Sequence, residues 1–181
     1  MMKRTLLWAG VSMLFAAHAA AADHDLVIRG GRVLDGAGNP WVRADVAVKD
    51  GRVVQVGQVP GQGTREIDAT GRYVSPGFID MMDQSGAALL KDGAAENKLR
   101  MGVTTLIGGE GGPPVPAAGM PAYFKQLETQ GIAVNFGTYY SSTQARVHVM
   151  GDAAGAPTRK QLDAMGEQLK IAMEAGAFGI S

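Results

Sequence analysis

The fold is decided by Val74-Ser75-Pro76-Gly77-Phe78-Ile79-Asp80-Met81-Met82-Asp83-Gln84-Ser85. Pro76 cannot donate to a strand ladder, and it restricts the residue before it, so Ser75-Pro76-Gly77 punctuates the chain. The run Phe78-Ile79-Asp80-Met81 that follows is short and apolar. Working outward in both directions from it, the pattern differs on the two sides.

Toward the N-terminus the chain reads as short strands and turns. Asp25–Arg29 is a strand broken by Gly30-Gly31, and Arg32–Asp35 resumes it. Val42, Ala44, Val46 and Val48 alternate with Arg43, Asp45 and Ala47, the period of two that a strand shows. Lys49-Asp50-Gly51 is a hairpin signal, because Asp-Gly tolerates positive φ. Val53–Val56 returns, and Glu66–Ala69 and Tyr73-Val74 complete a small sheet.

Toward the C-terminus strands alternate with helices. A helix is predicted over Ala87–Met101, stopped by Gly102, and a strand over Val103–Ile107. A Gly/Pro-rich loop runs from Gly108 to Gly119. Met120–Thr129 reads as helix, ended by Gly131, and Ile132–Phe136 as the next strand. Tyr139 to about Ala156 reads as a polar loop. The last helix carries a Thr158/Gln161 capping box, with Leu162, Met165, Leu169 and Met173 on one face and Gly176 as its stop. Ala177–Ile180 opens a fourth strand. This order builds parallel βαβ units. The class is therefore α/β.

Composition narrows the function. Of 181 residues, 17 are Lys or Arg and 17 are Asp or Glu, which disfavours a nucleic-acid binder working by phosphate neutralisation. There is no cysteine, so disulfides, thiolate zinc sites and cysteine nucleophiles are excluded. Residues 1–22 carry Lys3-Arg4, an uncharged apolar run Thr5–Ala17 and the small residues Ala19–Ala22. That is the pattern of a signal peptide, and it is too short for a stable membrane anchor. The expected location is exported: periplasmic or secreted. The expected division is 1–22 signal peptide, 23–75 β-rich segment and 76–181 alternating segment.

Four runs resemble the amidohydrolase superfamily, and more narrowly its N-acyl-D-amino-acid deacylase (D-aminoacylase) branch. They are Asp25–Gly36, Pro76-Gly77-Phe78-Ile79-Asp80, Gly102-Val103-Thr104-Thr105 and Gly176–Ser181. The resemblance implies the N-terminal part of a (β/α)8 metal-dependent hydrolase barrel, about four strands of it. It also implies that a β-sandwich segment precedes the barrel. A whole barrel needs about 250 residues, more than the chain has. The implied activity is hydrolysis of linear amide C–N bonds, of N-acyl-D-amino acids, by a metal-activated water, and the implied partner is a small-molecule amide. The cofactor expected for the family is zinc or another divalent cation.

The same resemblance locates the site, and here the chain departs from the pattern. The two histidines expected at the end of the first barrel strand are Met82 and Gln84, poor ligands for zinc. Asp83 lies one residue out of phase. The metal-binding cysteine of the second strand end is Glu110, a carboxylate able to replace a thiolate and the chain's best single ligand candidate. Arg146, in the hydroxyl-rich run with Ser141, is a candidate to hold a substrate carboxylate through its guanidinium fork. His24 and His148 read as ordinary solvated or satisfied residues. A serine hydrolase is disfavoured, since no Gly-x-Ser-x-Gly elbow is present. Gly108–Gly112 lacks the Lys-Ser/Thr ending of a phosphate loop. The chain alone is expected to be incomplete as an enzyme and weakly active or inactive. The alternative is a non-catalytic exported fragment acting as a binding module. Oligomeric state stays open.

Overall fold

The computed structural model of the protein describes residues 22–181, so all of the signal-peptide reading except Ala22 lies outside the described residues. The described chain divides at Pro76–Gly77 into two compact units.

In the first unit, β1 (His24–Val33) sits between β2 (Val42–Lys49) and β4 (Gly63–Asp68), with β3 (Arg52–Gly57) outside β2. β1–β2 and β2–β3 are antiparallel, while β1–β4 is parallel. β5 (Tyr73–Val74) pairs with the far end of β1, so the sheet is mixed. The Asp50-Gly51 turn has φ of 51° and 70°, the positive pair a tight hairpin needs. Gly30-Gly31 does not break the strand as the sequence suggests. It forms a bulge, with Gly30 N–H donating 2.8 Å to Asp45 Oδ1. Val27, Ala47 and Val59 pack as a small core on one face. There Arg29 donates to Val59 O at 2.8 Å, to Gly61 O at 2.7 Å and to Glu66 at 2.7 Å, pinning the β3–β4 connection across the sheet.

The second unit holds three parallel strands in sequence order: β6 (Phe78–Asp83), β7 (Val103–Gly108) and β8 (Asn135–Thr138). The helices are α1 (Glu96–Arg100), α2 (Met120–Gln130), α3 (Ser142–Met150) and α4 (Arg159–Glu174). Leu106 of β7 packs with Leu89, Tyr123, Leu127 and Val134 in one core. Met120, Tyr140, Ala145, Ala172 and Ala177 form a second.

Four expectations shift here. The first helix is only five residues, because Ala95 adopts a left-handed φ of 45° and Gly93 O is taken by Ala133 N–H at 2.8 Å, a tertiary bond that holds the chain out of helix. The third strand starts at Asn135, not Ile132, since Ala133 is spent on that contact. The polar stretch after Tyr139 is largely α3, capped by the Ser141 side chain. The fourth strand is a single parallel bridge, Tyr140–Ile180, flanked by Phe178 N–H to Thr138 O at 2.9 Å. Among the described residues no helix is long and apolar enough to cross a membrane.

Candidate functional site

The carboxyl ends of parallel strands are where an α/β sheet leaves side chains and loops free to meet a ligand. At the end of β6 the chain bulges between Asp80 and Asp83. Asp83 is buried, and a buried carboxylate must be paired and hydrogen-bonded. It is both. Lys98 of α1 lies 2.7 Å from its Oδ2, Ser85 Oγ donates to Oδ2 at 2.9 Å, and Ser85 N–H donates to Oδ1 at 2.7 Å. The turn this closes leaves Gln84 exposed on the outside.

Lys98 also reaches Asp80 at 2.9 Å, so one ammonium serves two carboxylates. The hydrogen bonds to Asp83 and then Asp80 raise the Lys98 pKa above its ordinary value. The Lys98 hydrogen bond, followed by that from Met82 N–H, holds Asp80 below the usual carboxylate range. Tyr123 donates 2.8 Å to Gly86 O behind this turn. Burial first, and the charge of Asp83 second, push its hydroxyl up to about 12.

The loop after β7 brings the second group. Gly109 has φ of 84°, and a Cβ there would collide with Thr138 Oγ1 and the Tyr139 carbonyl, so this close crossing requires glycine. Gln144 Nε2 donates to Pro113 O at 3.0 Å and Val115 O at 2.9 Å. Ser181 Oγ donates to Glu110 O at 2.7 Å. Held from both sides, the loop sets Glu110 so that Gln84 Nε2 donates to its Oε2 at 3.5 Å, a long contact. Asp83, Gln84, Glu110, Pro113, Phe136 and Thr138 are among the residues that wall a cavity of about 180 Å³.

The structure brings together two of the residues singled out from the sequence, Gln84 and Glu110. Met82 is 67% exposed and does not line the cavity. Ser141 is buried as the α3 cap, its Oγ accepting from Thr143 N–H at 3.2 Å. Arg146 donates to Ala153 O at 3.0 Å and Gly155 O at 2.8 Å, closing the loop that follows α3. Neither lines the cavity. His148 lies in the last turn of α3 and His24 opens β1. The sequence reading set Asp83 aside as out of phase and missed Lys98. The Asp-x-Ser spacing was a usable turn signal, but nothing in sequence marks Lys98 as its partner.

A zinc ion needs about three protein ligands from imidazole, thiolate or carboxylate. Among the described residues no group of three or more His, Cys, Asp or Glu gathers for one. Asp83 is committed to Lys98 and Ser85, which leaves one carboxylate and one neutral amide. The residues present do not fit the metal by themselves.

No protein-family model matches the chain. An N-acyl-D-glutamate deacylase of Alcaligenes xylosoxydans xylosoxydans is 34% identical over 178 residues, which are 87% of this chain and 36% of the relative. The solved structure of an N-acyl-D-glutamate deacylase from Bordetella bronchiseptica, complexed with zinc and a phosphonate inhibitor, superposes with a TM-score of 0.78 at 32% identity, covering 87% of this chain and 38% of that one. A D-aminoacylase studied for its binuclear metal centre gives 0.80 at 30% identity, with the same coverage. The chain thus spans little more than a third of the length of these relatives. With four motifs in order and a matching backbone along 87% of its length, the chain is similar to the N-acyl-D-amino-acid deacylases of the amidohydrolase superfamily, consistent with an N-terminal portion of them.

Proposed function

We propose that this chain serves hydrolysis of the amide bond of N-acyl-D-amino acids, supplying one wall of the site rather than the whole of it. The observation that carries the reading is the cavity where β6, β7 and β8 end. Two of its groups, Gln84 and Glu110, stand at positions that the resemblance assigns to metal ligands. The parallel order β6-β7-β8 is that of consecutive strands of a (β/α)8 barrel, and we propose that architecture, with the first unit as a sandwich segment. A divalent cation, when bound at such a site, would supply the chemistry of an attacking water. The described residues hold one candidate ligand, Glu110, so no step through a metal is assigned to them.

What the chain's own residues do is bind and orient. Lys98 and Asp83 fix the turn that presents Gln84. Ser181 and Gln144 fix the loop that presents Glu110. Phe136 and the prolines provide apolar walls that limit water at an amide. Export of the chain belongs to the same proposal.

The test is release of free D-amino acid from N-acetyl-D-glutamate, N-acetyl-D-aspartate and N-acetyl-D-methionine, with and without added zinc. The purified 181-residue chain is expected to show no turnover and to retain less than one zinc per chain after desalting. The product of the open reading frame in which the chain is encoded, if it supplies further ligands, is expected to hydrolyse at least one substrate. Zinc-dependent turnover by the 181-residue chain would refute the partial-site reading, and no turnover by any product of the reading frame would refute the deacylase reading.

A further inference from the structure

We infer that the end of β6 carries its own cation, the Lys98 ammonium, which closes this strand end to a divalent metal ion, so that a metal held by a completed site draws no ligand from β6. The inference deepens the proposed function and rests on it in one respect, the expectation that such a site holds a metal.

The carboxylate oxygens are the first argument. Asp80 and Asp83 stand at the end of β6, and each of their four oxygens accepts a hydrogen bond from the chain itself. Asp80 Oδ1 accepts from Met82 N–H at 3.1 Å, and its Oδ2 from Lys98 Nζ at 2.9 Å. Asp83 Oδ1 accepts from Ser85 N–H at 2.7 Å. Its Oδ2 takes both Lys98 Nζ at 2.7 Å and Ser85 Oγ at 2.9 Å, which fills the two lone-pair sites of that oxygen. The Asp83 side chain is 0% exposed, so an incoming ion reaches it only by displacing Lys98.

Charge is the second. A zinc ion about 2.1 Å from either Oδ2 would stand within about 5 Å of the Lys98 nitrogen, where two cations repel strongly away from bulk water. The ammonium is placed by the fold rather than drawn from solvent. It comes from α1, whose start is set by the left-handed Ala95, and Lys98 N–H donates to Ala95 O at 3.0 Å. With its side chain 16% exposed, Lys98 is held against both carboxylates at once.

The remaining groups of this strand end are the third. Met82 offers a thioether, a poor partner for zinc, and does not line the cavity. Gln84 is a neutral amide whose Nε2 is turned toward Glu110. Neither compensates for the two carboxylates that Lys98 occupies. Glu110 belongs to the loop after β7 and stays open to a metal whose other ligands come from elsewhere.

The test is a zinc titration of the ¹⁵N-labelled 181-residue chain and of Lys98→Met, read at the backbone amides, with bound zinc measured by equilibrium dialysis. In the unaltered chain the amides of residues 80–85 are expected to stay unmoved up to millimolar zinc. Lys98→Met, which frees both carboxylates, is expected to bind zinc at least tenfold more tightly, with shifts at residues 80–85. Saturable shifts at residues 80–85 of the unaltered chain at micromolar zinc overturn the inference. So does a folded Lys98→Met that binds no more tightly. Should Lys98→Met fail to fold, the titration of the unaltered chain decides alone. Shifts confined to residues 109–112 uphold the inference, since Glu110 is then the ligand. In the product of the open reading frame, Asp83→Asn is expected to leave the zinc content unchanged, and zinc lost from that variant in its folded form overturns the inference. A reading-frame product that binds no zinc, with residues 80–85 of the 181-residue chain unmoved, counts against the deacylase reading and leaves the closed strand end standing.

Discussion

Lys98 and Asp83 carry the largest single-residue consequences, because the charge of one is stranded without the other. In Lys98→Met the methionine fills the lysine's stem volume but leaves the enclosed Asp83 carboxylate without a counter-charge. Removing one partner of a buried pair costs about 3–5 kcal/mol, and urea unfolding followed by circular dichroism is expected to read a loss of that order. Asp80 adds an acid limb: its pKa is depressed by Lys98, so its contribution is present above its unfolded value near 4 and is lost as pH falls through the lower folded value. Lys98→Met is expected to flatten that limb. Tyr123 behaves in the opposite sense. Its folded pKa of about 12 lies above the ordinary tyrosine value of 10.0, so its contribution is complete below pH 10 and is lost as pH rises toward 12. About two units correspond to roughly 2–3 kcal/mol. Stability measured at pH 9, 10.5 and 12 is expected to fall by that amount in the natural protein. Tyr123→Phe is expected to fall less over the same range, after starting about 1 kcal/mol lower for its lost bond to Gly86 O.

Among the elements, α4 owes its start to chemistry visible in the sequence. Thr158 Oγ1 accepts from Gln161 N–H at 3.4 Å while Gln161 Oε1 accepts from Thr158 N–H at 2.8 Å, the reciprocal box. Thr158→Ala is expected to cost about 1 kcal/mol in chemical denaturation. The same kind of signal begins α3, where Ser141-Ser142-Thr143-Gln144 has cap spacing, but the polar composition of the stretch obscured it. β6 teaches the reverse lesson. Its six residues read as a plain strand, yet the bulge between Asp80 and Asp83 is what turns Asp83 into the core and Gln84 out toward Glu110. Lys98, which pairs with both Asp80 and Asp83 at that bulge, comes from a different element, so no local pattern announces the pairing.

For the whole molecule, the expectation that can be checked most directly is export. If residues 1–22 are removed as the sequence suggests, N-terminal sequencing of the protein recovered outside the cytoplasm is expected to begin at Asp23, and an intact Met1 would contradict it. Much of the rest was legible in the chain. The switch from period-two alternation to strand–helix alternation at Pro76, the Asp50-Gly51 turn, the stops at Gly102 and Gly131 and the four motifs in order determined the class and the kinship. They could do so because hydrophobic period, turn chemistry and caps act over a few neighbouring residues. The short α1, the late start of β8 and the single bridge in place of a fourth strand were decided only in three dimensions, by contacts such as Ala133 N–H to Gly93 O. The site divides in the same way. Which residue types stand at 82, 84 and 110 is legible in the chain itself. Tertiary structure alone decided that Gln84 meets Glu110, that Met82 faces away and that Lys98 neutralises Asp83. Burying a charge in a folded chain forces a distant partner to come to it, and that demand cannot be read from neighbours along the sequence.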